Sequence, residues 1–127
     1  MRAVIIGASG GVGGALAEQL AARPEIEAVH ALSRSGRVPH DPKIISGKID
    51  ILEEDSVANA AEIIKAAGAP DLVIVASGIL SDGDALQPEK TYKHQSMANF
   101  ERVFAINTFG ALSPCRIDQR QWLWRLA

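Results

Sequence analysis

The residues best able to do chemistry are the glycines from Gly7 to Gly13, in the run Gly-Ala-Ser-Gly-Gly-Val-Gly. A short β-branched segment, Ala3–Gly7, leads into this run, and a segment of helix formers, Gly13–Arg23, follows it. Glycines here permit a tight turn, a close backbone approach to a pyrophosphate, and close packing of helix on strand. The helix N-terminus then presents free N–H groups to the phosphates. The pattern predicts a dinucleotide-binding loop rather than a merely tight turn. The loop residues expected in the site are Gly7, Ser9, Gly10, Gly11, Val12 and Gly13.

Strand-like and helix-like segments alternate after this loop, which predicts an α/β fold with a parallel sheet. We expect an incomplete three-layer, doubly wound sheet of the Rossmann type, with about four strands in the order 3-2-1-4. The predicted segments are a strand at Ala28–Ser33, a strand at Lys43–Ile49, a helix at Asp55–Ala67, a strand at Asp71–Ala76, a loop at Ser77–Gln95 and a helix at Met97–Leu112.

Four motifs together resemble the short-chain dehydrogenase/reductase family over about residues 1–112. Gly7, Gly11 and Gly13 match its Gly-x-x-x-Gly-x-Gly, and Asn107-Thr-Phe-Gly110 matches its Asn-x-x-Gly. Val75-Ala-Ser-Gly is a degenerate form of the Asn-Asn-Ala-Gly turn of the classical branch, and Asp50 follows the third strand as in the family. The chain therefore resembles a classical, C-factor-like member. An extended-type nucleotide-sugar enzyme fragment is the alternative that the Asn-x-x-Gly match counts against.

The resemblance implies roles for several further residues. It places Asp50 and Ile51 at the adenine, Ala76, Ser77 and Gly78 along the cofactor, and Asn107 in catalysis. Each has a structural alternative. Asp50 is equally suited to capping the following helix, Ser77 to being a satisfied polar group at a strand end, and Asn107 to bending its helix through a backbone hydrogen bond.

The end of the second strand distinguishes the two nicotinamide cofactors. NAD-binding members place a carboxylate there, about twenty residues after the loop, whereas NADP-binding members place arginine. Here the position holds Ser33 and Arg34, with Arg37 nearby and no carboxylate. A guanidinium pairs well with the ribose 2′-phosphate, so we expect NADP rather than NAD. The alternative is an ordinary exposed loop arginine.

The family's catalytic machinery is not visible in this sequence. Hydride transfer in the family uses a serine and a tyrosine with a lysine four positions later, but the only tyrosine, Tyr92, has Ser96 at that position. We expect an NADP(H)-binding portion, catalytically incompetent as this chain and truncated after the first half of the fold. Residues 113–127, rich in Trp and Arg, are an atypical tail that we interpret as a frameshift product. A non-enzymatic NADP-binding or regulatory module is the alternative function.

Composition limits the partners. With 13 basic and 15 acidic residues, the 127-residue chain has a net charge of −2 and no electrostatic footprint for nucleic acid. Its longest apolar run, Leu72–Ala76, is too short to span a membrane. One cysteine fits a reducing cytoplasm, and the three histidines lack metal-site spacing. Because the fourth strand would form an apolar sheet edge, we expect a homo-oligomer, joined there or through Met97–Leu112. The tail residues expected to cover that edge or join the interface are Trp122, Leu123, Trp124 and Leu126.

Overall fold

The structure, a computed structural model, describes residues 1–81, 86–88 and 91–114. Its centre is a parallel sheet of four strands, β1 (Arg2–Ile6), β2 (Ala28–Ser33), β3 (Ile44–Lys48) and β4 (Leu72–Val75). The strand order is β3-β2-β1-β4, so β1 lies between β2 and β4. The predicted parallel sheet and its strand order are confirmed. The predicted tail beyond Pro114 lies outside the described residues.

Helical segments connect and follow the strands. They are α1 (Gly11–Ala21), α2 (Glu54–Ala67), a 3-10 turn (Tyr92–His94), α3 (Met97–Phe104), a π-helical turn (Ala105–Phe109) and α4 (Gly110–Leu112). The predicted helix at Met97–Leu112 is thus one helical segment with a π-helical turn inside it. Helix α1 begins two residues before the predicted start, because Gly10 is its extended N-cap.

The alternation of side chains along each strand creates two apolar cores, one on each face of the sheet. Ala3 and Ile5 of β1 pack with the α1 side, in a cluster that includes Ala17. Val4 and Ile6 face the opposite way and pack in a cluster with residues of α2. This is the expected period of two along a strand. The fold is therefore three layers, helix on sheet on helix.

Strand β4 is less buried than its sequence suggests. A continuous apolar run predicts burial on both faces, yet all four residues from Leu72 to Val75 are only half-buried. Within the described residues, β4 pairs with β1 alone. It is therefore an edge of this sheet, as the predicted strand order 3-2-1-4 requires, and this position accounts for its lower burial.

A titratable side chain lies inside the sheet. His30 of β2 is 4% exposed and is opposite Val4 of β1 and Ile45 of β3. Burial lowers the pKa of His30 below its usual 6.5, and the positive charge of Arg2 lowers it further. The ring is therefore held neutral by its surroundings.

Candidate functional site

The turn from β1 to α1 is shaped by Gly7. Its φ of +94° lies in the left-handed region that favours glycine. A Cβ on Gly7 would also lie 2.8 Å from the carbonyl carbon of Ala76, after β4. The N–H groups of Gly7 and Ala8 both donate to the carbonyl oxygen of Leu32, at 2.8 and 3.0 Å. The turn is thus held against the carboxyl ends of both neighbouring strands.

The later glycines of the loop have different surroundings. A Cβ on Gly13 would overlap the carbonyl oxygen of Gly7, whereas a Cβ on Gly11 meets no atom within 4 Å. The N–H of Gly14 makes the first intrahelical bond, to Gly10 at 2.8 Å. The preceding first-turn amides of α1 have no acceptor within the helix, and the N-cap Gly10 has no side chain to cap them. The fold itself needs Gly7 and Gly13, while Gly11 leaves an open backbone face.

A cleft of about 180 Å³ lies where this loop meets the carboxyl ends of the strands. Ten predicted site residues line it, namely Gly7, Ser9, Gly10, Ser33, Arg34, Asp50, Ile51, Ala76, Ser77 and Gly78. The predicted residues Gly11, Val12, Gly13, Arg37 and Asn107 do not line this cleft. The lining residues that sequence reasoning missed are Ile6, Ile49, Leu52, Ile79 and Ile106. All five are apolar and directly adjoin predicted residues along the chain, which is the signal that would have found them.

The two predicted arginines line two different grooves beside the glycine loop. Arg34 lines the cleft, whereas Arg37 lines a second groove of about 380 Å³ with Ser9, Gly10 and Gly11. Among the described residues, neither guanidinium forms an ion pair. The buried hydroxyl of Ser33 donates to the carbonyl oxygen of Arg37 at 3.3 Å. Two positive charges without an ion-pair partner in the described part of the chain thus lie beside the loop.

Asp50 closes a turn between β3 and α2. Its Oδ1 accepts the N–H of Leu52 at 3.0 Å, and its own N–H donates to Oγ of Ser56 at 2.8 Å. The alternative role for Asp50 was to cap the following helix. The N-cap of α2 is Glu53 and not Asp50, so this alternative is wrong. Its carboxylate stands at the cleft beside the apolar side chain of Ile51.

The asparagine and the glycine of the Asn-x-x-Gly motif, Asn107 and Gly110, make separate contacts. Asn107 accepts the N–H of Ile79 at Oδ1 and donates from Nδ2 to the Ile79 carbonyl oxygen, both at 2.8 Å. Its side chain thus bonds the loop after β4 and not its own helix. A Cβ on Gly110 would lie 2.7 Å from Cδ1 of Ile51. Both residues of the motif therefore approach residues that line the cleft, Asn107 at Ile79 and Gly110 at Ile51.

A sequence model of the short chain dehydrogenase family matches residues 1–123. The chain belongs to this family. No curated protein matches it. The family match extends beyond Leu112, into the segment that composition alone set apart as a tail.

Solved structures of the dehydrogenase family share this fold. The NADPH-bound carbonyl reductase from chicken fatty liver is 18% identical with a TM-score of 0.76, over 91% of this chain and 46% of its own. The aldohexose dehydrogenase of Thermoplasma acidophilum is 25% identical with a TM-score of 0.72, over 91% and 42%. An NADH-dependent reductase complexed with NAD is 18% identical with a TM-score of 0.67, over 91% and 49%. This chain therefore spans less than half the length of each.

Ser77, which follows β4, lines the cleft. Ser77 Oγ is buried and has no hydrogen-bond partner among the described residues. An unmade hydrogen bond on a buried polar atom costs about 1–3 kcal/mol. The alternative of a satisfied polar group at a strand end is thus not what the structure shows. An orphaned donor at a cleft is expected where a ligand or water completes the bonding.

Tyr92, the only tyrosine of the sequence, does not line the cleft. It lies in the 3-10 turn and is 77% exposed. Ser96, four positions later, is the N-cap of α3, and its Oγ accepts the N–H of Asn99 at 3.2 Å. The residue four positions after Tyr92 is thus a helix cap and not a lysine.

Metal-binding clusters and membrane-spanning helices are both absent from the described ranges. No group of three or more His, Cys, Asp or Glu side chains there is arranged to hold a metal ion. No helix in the same ranges has the length and apolar character to cross a membrane.

Proposed function

We propose that this chain is the NADP(H)-binding portion of a short-chain dehydrogenase/reductase oxidoreductase. The observation that carries the proposal is the open backbone face at Gly11, next to helix amides without intrahelical acceptors. Such a surface suits a pyrophosphate, because the amides donate to phosphate oxygens and the helix dipole favours negative charge. The open face at this loop and the cleft beside it lie at the carboxyl ends of the strands, where ligands bind in open α/β sheets.

The remaining groups of the cleft fit the other parts of a dinucleotide. Ile51 and Leu52 offer an apolar wall and Asp50 a carboxylate for the adenine, and Ser77 offers an unpartnered hydroxyl. When bound, the nicotinamide carries a hydride to or from a carbonyl or alcohol carbon. The role that this chain's residues take in the proposal is to bind and orient that cofactor.

NADP is the preferred cofactor in this proposal. The similar structures include one bound to NADPH and one bound to NAD, so the preference depends on this chain's own charges. Arg34 stands in the cleft directly after β2 with no ion-pair partner among the described residues. A guanidinium forms strong bidentate hydrogen bonds with a phosphate. The 2′-phosphate of NADP supplies that partner, and NAD does not.

Calorimetric titration of the full chain with NADP and with NAD tests the proposal. Losing a hydrogen bond to a charged group costs about 1.5–3 kcal/mol. Arg34→Ala should therefore weaken NADP binding by about tenfold or more and leave NAD binding nearly unchanged. Arg23→Ala is the matched control, since Arg23 is exposed after α1 and pairs with Glu25 at 3.6 Å. Equal losses for both cofactors would show that Arg34 does not contact the 2′-phosphate.

We propose binding without catalysis for these 127 residues alone. Asn107 is bonded to Ile79, and the only tyrosine of the sequence, Tyr92, is followed four positions later by Ser96 and not by the lysine of the family's Tyr-x-x-x-Lys pair. A general acid contributes about 10²–10⁴-fold to such a reaction. NADPH-dependent carbonyl reduction at a substantial rate by the pure chain would contradict this part.

We also propose that the chain assembles with itself, and that it acts in the cytoplasm. The helical segment at Met97–Leu112 exposes large apolar side chains, among them Met97 at 72%, Phe104 at 53% and Phe109 at 65%. The edge strand β4 is a second apolar surface. Exposed apolar patches and unpaired strand edges both favour association. The tail residues Trp122 to Leu126, expected to cover such a surface, lie outside the described residues.

A further inference from the structure

The loop after β2 fixes the backbone of Arg37 from two sides. The N–H of Arg37 donates to Oγ of Ser35 at 3.2 Å, which closes a serine turn two residues long. The carbonyl oxygen of Arg37 accepts from Oγ of Ser33 at 3.3 Å. The two hydroxyl oxygens lie 3.5 Å apart, and Gly36 between them has a φ of +70°. Both polar groups of one residue in an exposed loop are thus held by side chains.

The residues after Arg37 attach the same loop to helix α1. Val38 packs against the core on the α1 side of the sheet. Pro39 lies close to the start of the helix, with its Cγ 3.6 Å from a Cβ built on Gly14. Arg37 and Pro39 therefore line one groove together with the glycine loop, and this groove shares Ser9 and Gly10 with the main cleft.

These two hydrogen bonds hold the backbone of Arg37 and leave its side chain at the surface. Arg37 is exposed, and its guanidinium forms no ion pair in the described part of the chain. The same groove is lined by Ser9 and by Gly11, whose N–H belongs to the first turn of α1 and has no acceptor in the helix. Glu18 of α1 also lines this groove, so it holds one carboxylate besides the amides and the guanidinium. The guanidinium and the amides are the groups that bind an anion, and fixing the arginine backbone lowers the entropic cost of that binding.

We infer that Ser35 is a positioning residue for cofactor selection: its hydroxyl holds Arg37 where the guanidinium meets a phosphomonoester on the dinucleotide ribose. This inference rests on the proposed function. Ser35 does not itself contact the ligand, and it acts through the Arg37 peptide. It predicts that two arginines, Arg34 and Arg37, both contact the 2′-phosphate.

Titration of Ser35→Ala with NADP and with NAD tests the inference. Ser35 is exposed, so the variant is expected to fold like the wild type. We expect NADP binding to weaken by about two- to tenfold, the range that one neutral hydrogen bond supplies, with NAD binding unchanged. Ser46→Ala, at an exposed serine of β3, is the matched control and should change neither affinity.

A double variant shows whether Ser35 acts through Arg37. In the Arg37→Ala background, Ser35→Ala should cost no further NADP affinity, because the guanidinium it positions is gone. An additive loss would overturn the positioning role, and so would equal losses for NADP and NAD. Amide hydrogen exchange gives a readout without cofactor, since the Arg37 amide should exchange faster in Ser35→Ala. An unchanged exchange rate would also overturn it.

The wild-type titration separates this inference from the proposed function. If the wild-type chain binds neither dinucleotide, the proposed function fails and the inference fails with it. If the wild type binds NADP and Ser35→Ala binds it equally well, only the inference fails.

Discussion

Replacing Gly13 by alanine should destabilise the protein through a backbone clash. A Cβ there would overlap the carbonyl oxygen of Gly7 and lie 2.8 Å from its carbonyl carbon and 3.1 Å from Cα of Ala8. All of these are backbone atoms, so no side chain is able to rotate away. The Gly7 carbonyl also accepts the N–H of Gly10 at 3.1 Å, so moving it disturbs the loop as well.

The expected cost follows from two opposing effects. Forcing an extra carbon into a packed site costs about 1–3 kcal/mol, and more when the neighbours cannot relax. Alanine recovers up to about 1 kcal/mol through its higher helix propensity. Because the overlap at Gly13 is with backbone, we expect the upper end of the first range and a net loss of about 2 kcal/mol. At roughly 4 °C per kcal/mol for a domain near this size, Tm should fall by about 8 °C.

Gly11→Ala is the matched control, two residues earlier in the same helix. No atom lies within 4 Å of its built Cβ, so Tm should stay the same or rise slightly. The new methyl group would instead occupy the face offered to the pyrophosphate, so NADP affinity should fall while stability does not. Thermal unfolding followed by circular dichroism, with NADP titration of each variant, measures both effects. Wild-type stability of Gly13→Ala, or equal destabilisation by Gly11→Ala, would refute the steric reasoning.

Three other perturbations have defined outcomes. His30 has a folded pKa below its unfolded value of 6.5, so the unfolded state binds more protons. The stability that His30 contributes is therefore present above pH 6.5 and is lost as the pH falls through the folded pKa. Urea unfolding from about pH 8 to about pH 5 should show this slope, and His30→Gln should flatten it. Asn107→Leu removes both hydrogen bonds to Ile79 and should cost about 1–3 kcal/mol, with faster amide exchange at Ile79; unchanged exchange would contradict the clamp. Light scattering should show an oligomer that Phe109→Glu weakens, whereas a wild-type monomer at high micromolar concentration would exclude self-assembly.

Much of the fold is determined by local sequence. The alternation of apolar strands and amphipathic helices predicted a parallel sheet, and the doubly wound Rossmann arrangement supplied the strand order. The glycine spacing from Gly7 to Gly13 predicted a loop between β1 and α1, because a left-handed turn and a close approach each exclude a side chain. The carboxyl ends of parallel strands meet at one edge, so the predicted residues after them came together in one cleft.

Other features depend on contacts between residues far apart in the chain, and only the tertiary structure decided them. The sequence placed Arg34 and Arg37 in one group, but in the fold Arg34 lines the main cleft and Arg37 lines a second groove. The partner of Asn107 is Ile79, which lies 28 residues earlier. Gly110 is required by the side chain of Ile51 on another element. Periodicity and local propensity report how a segment folds, whereas these pairings arise only when the packed layers bring separate elements within contact distance.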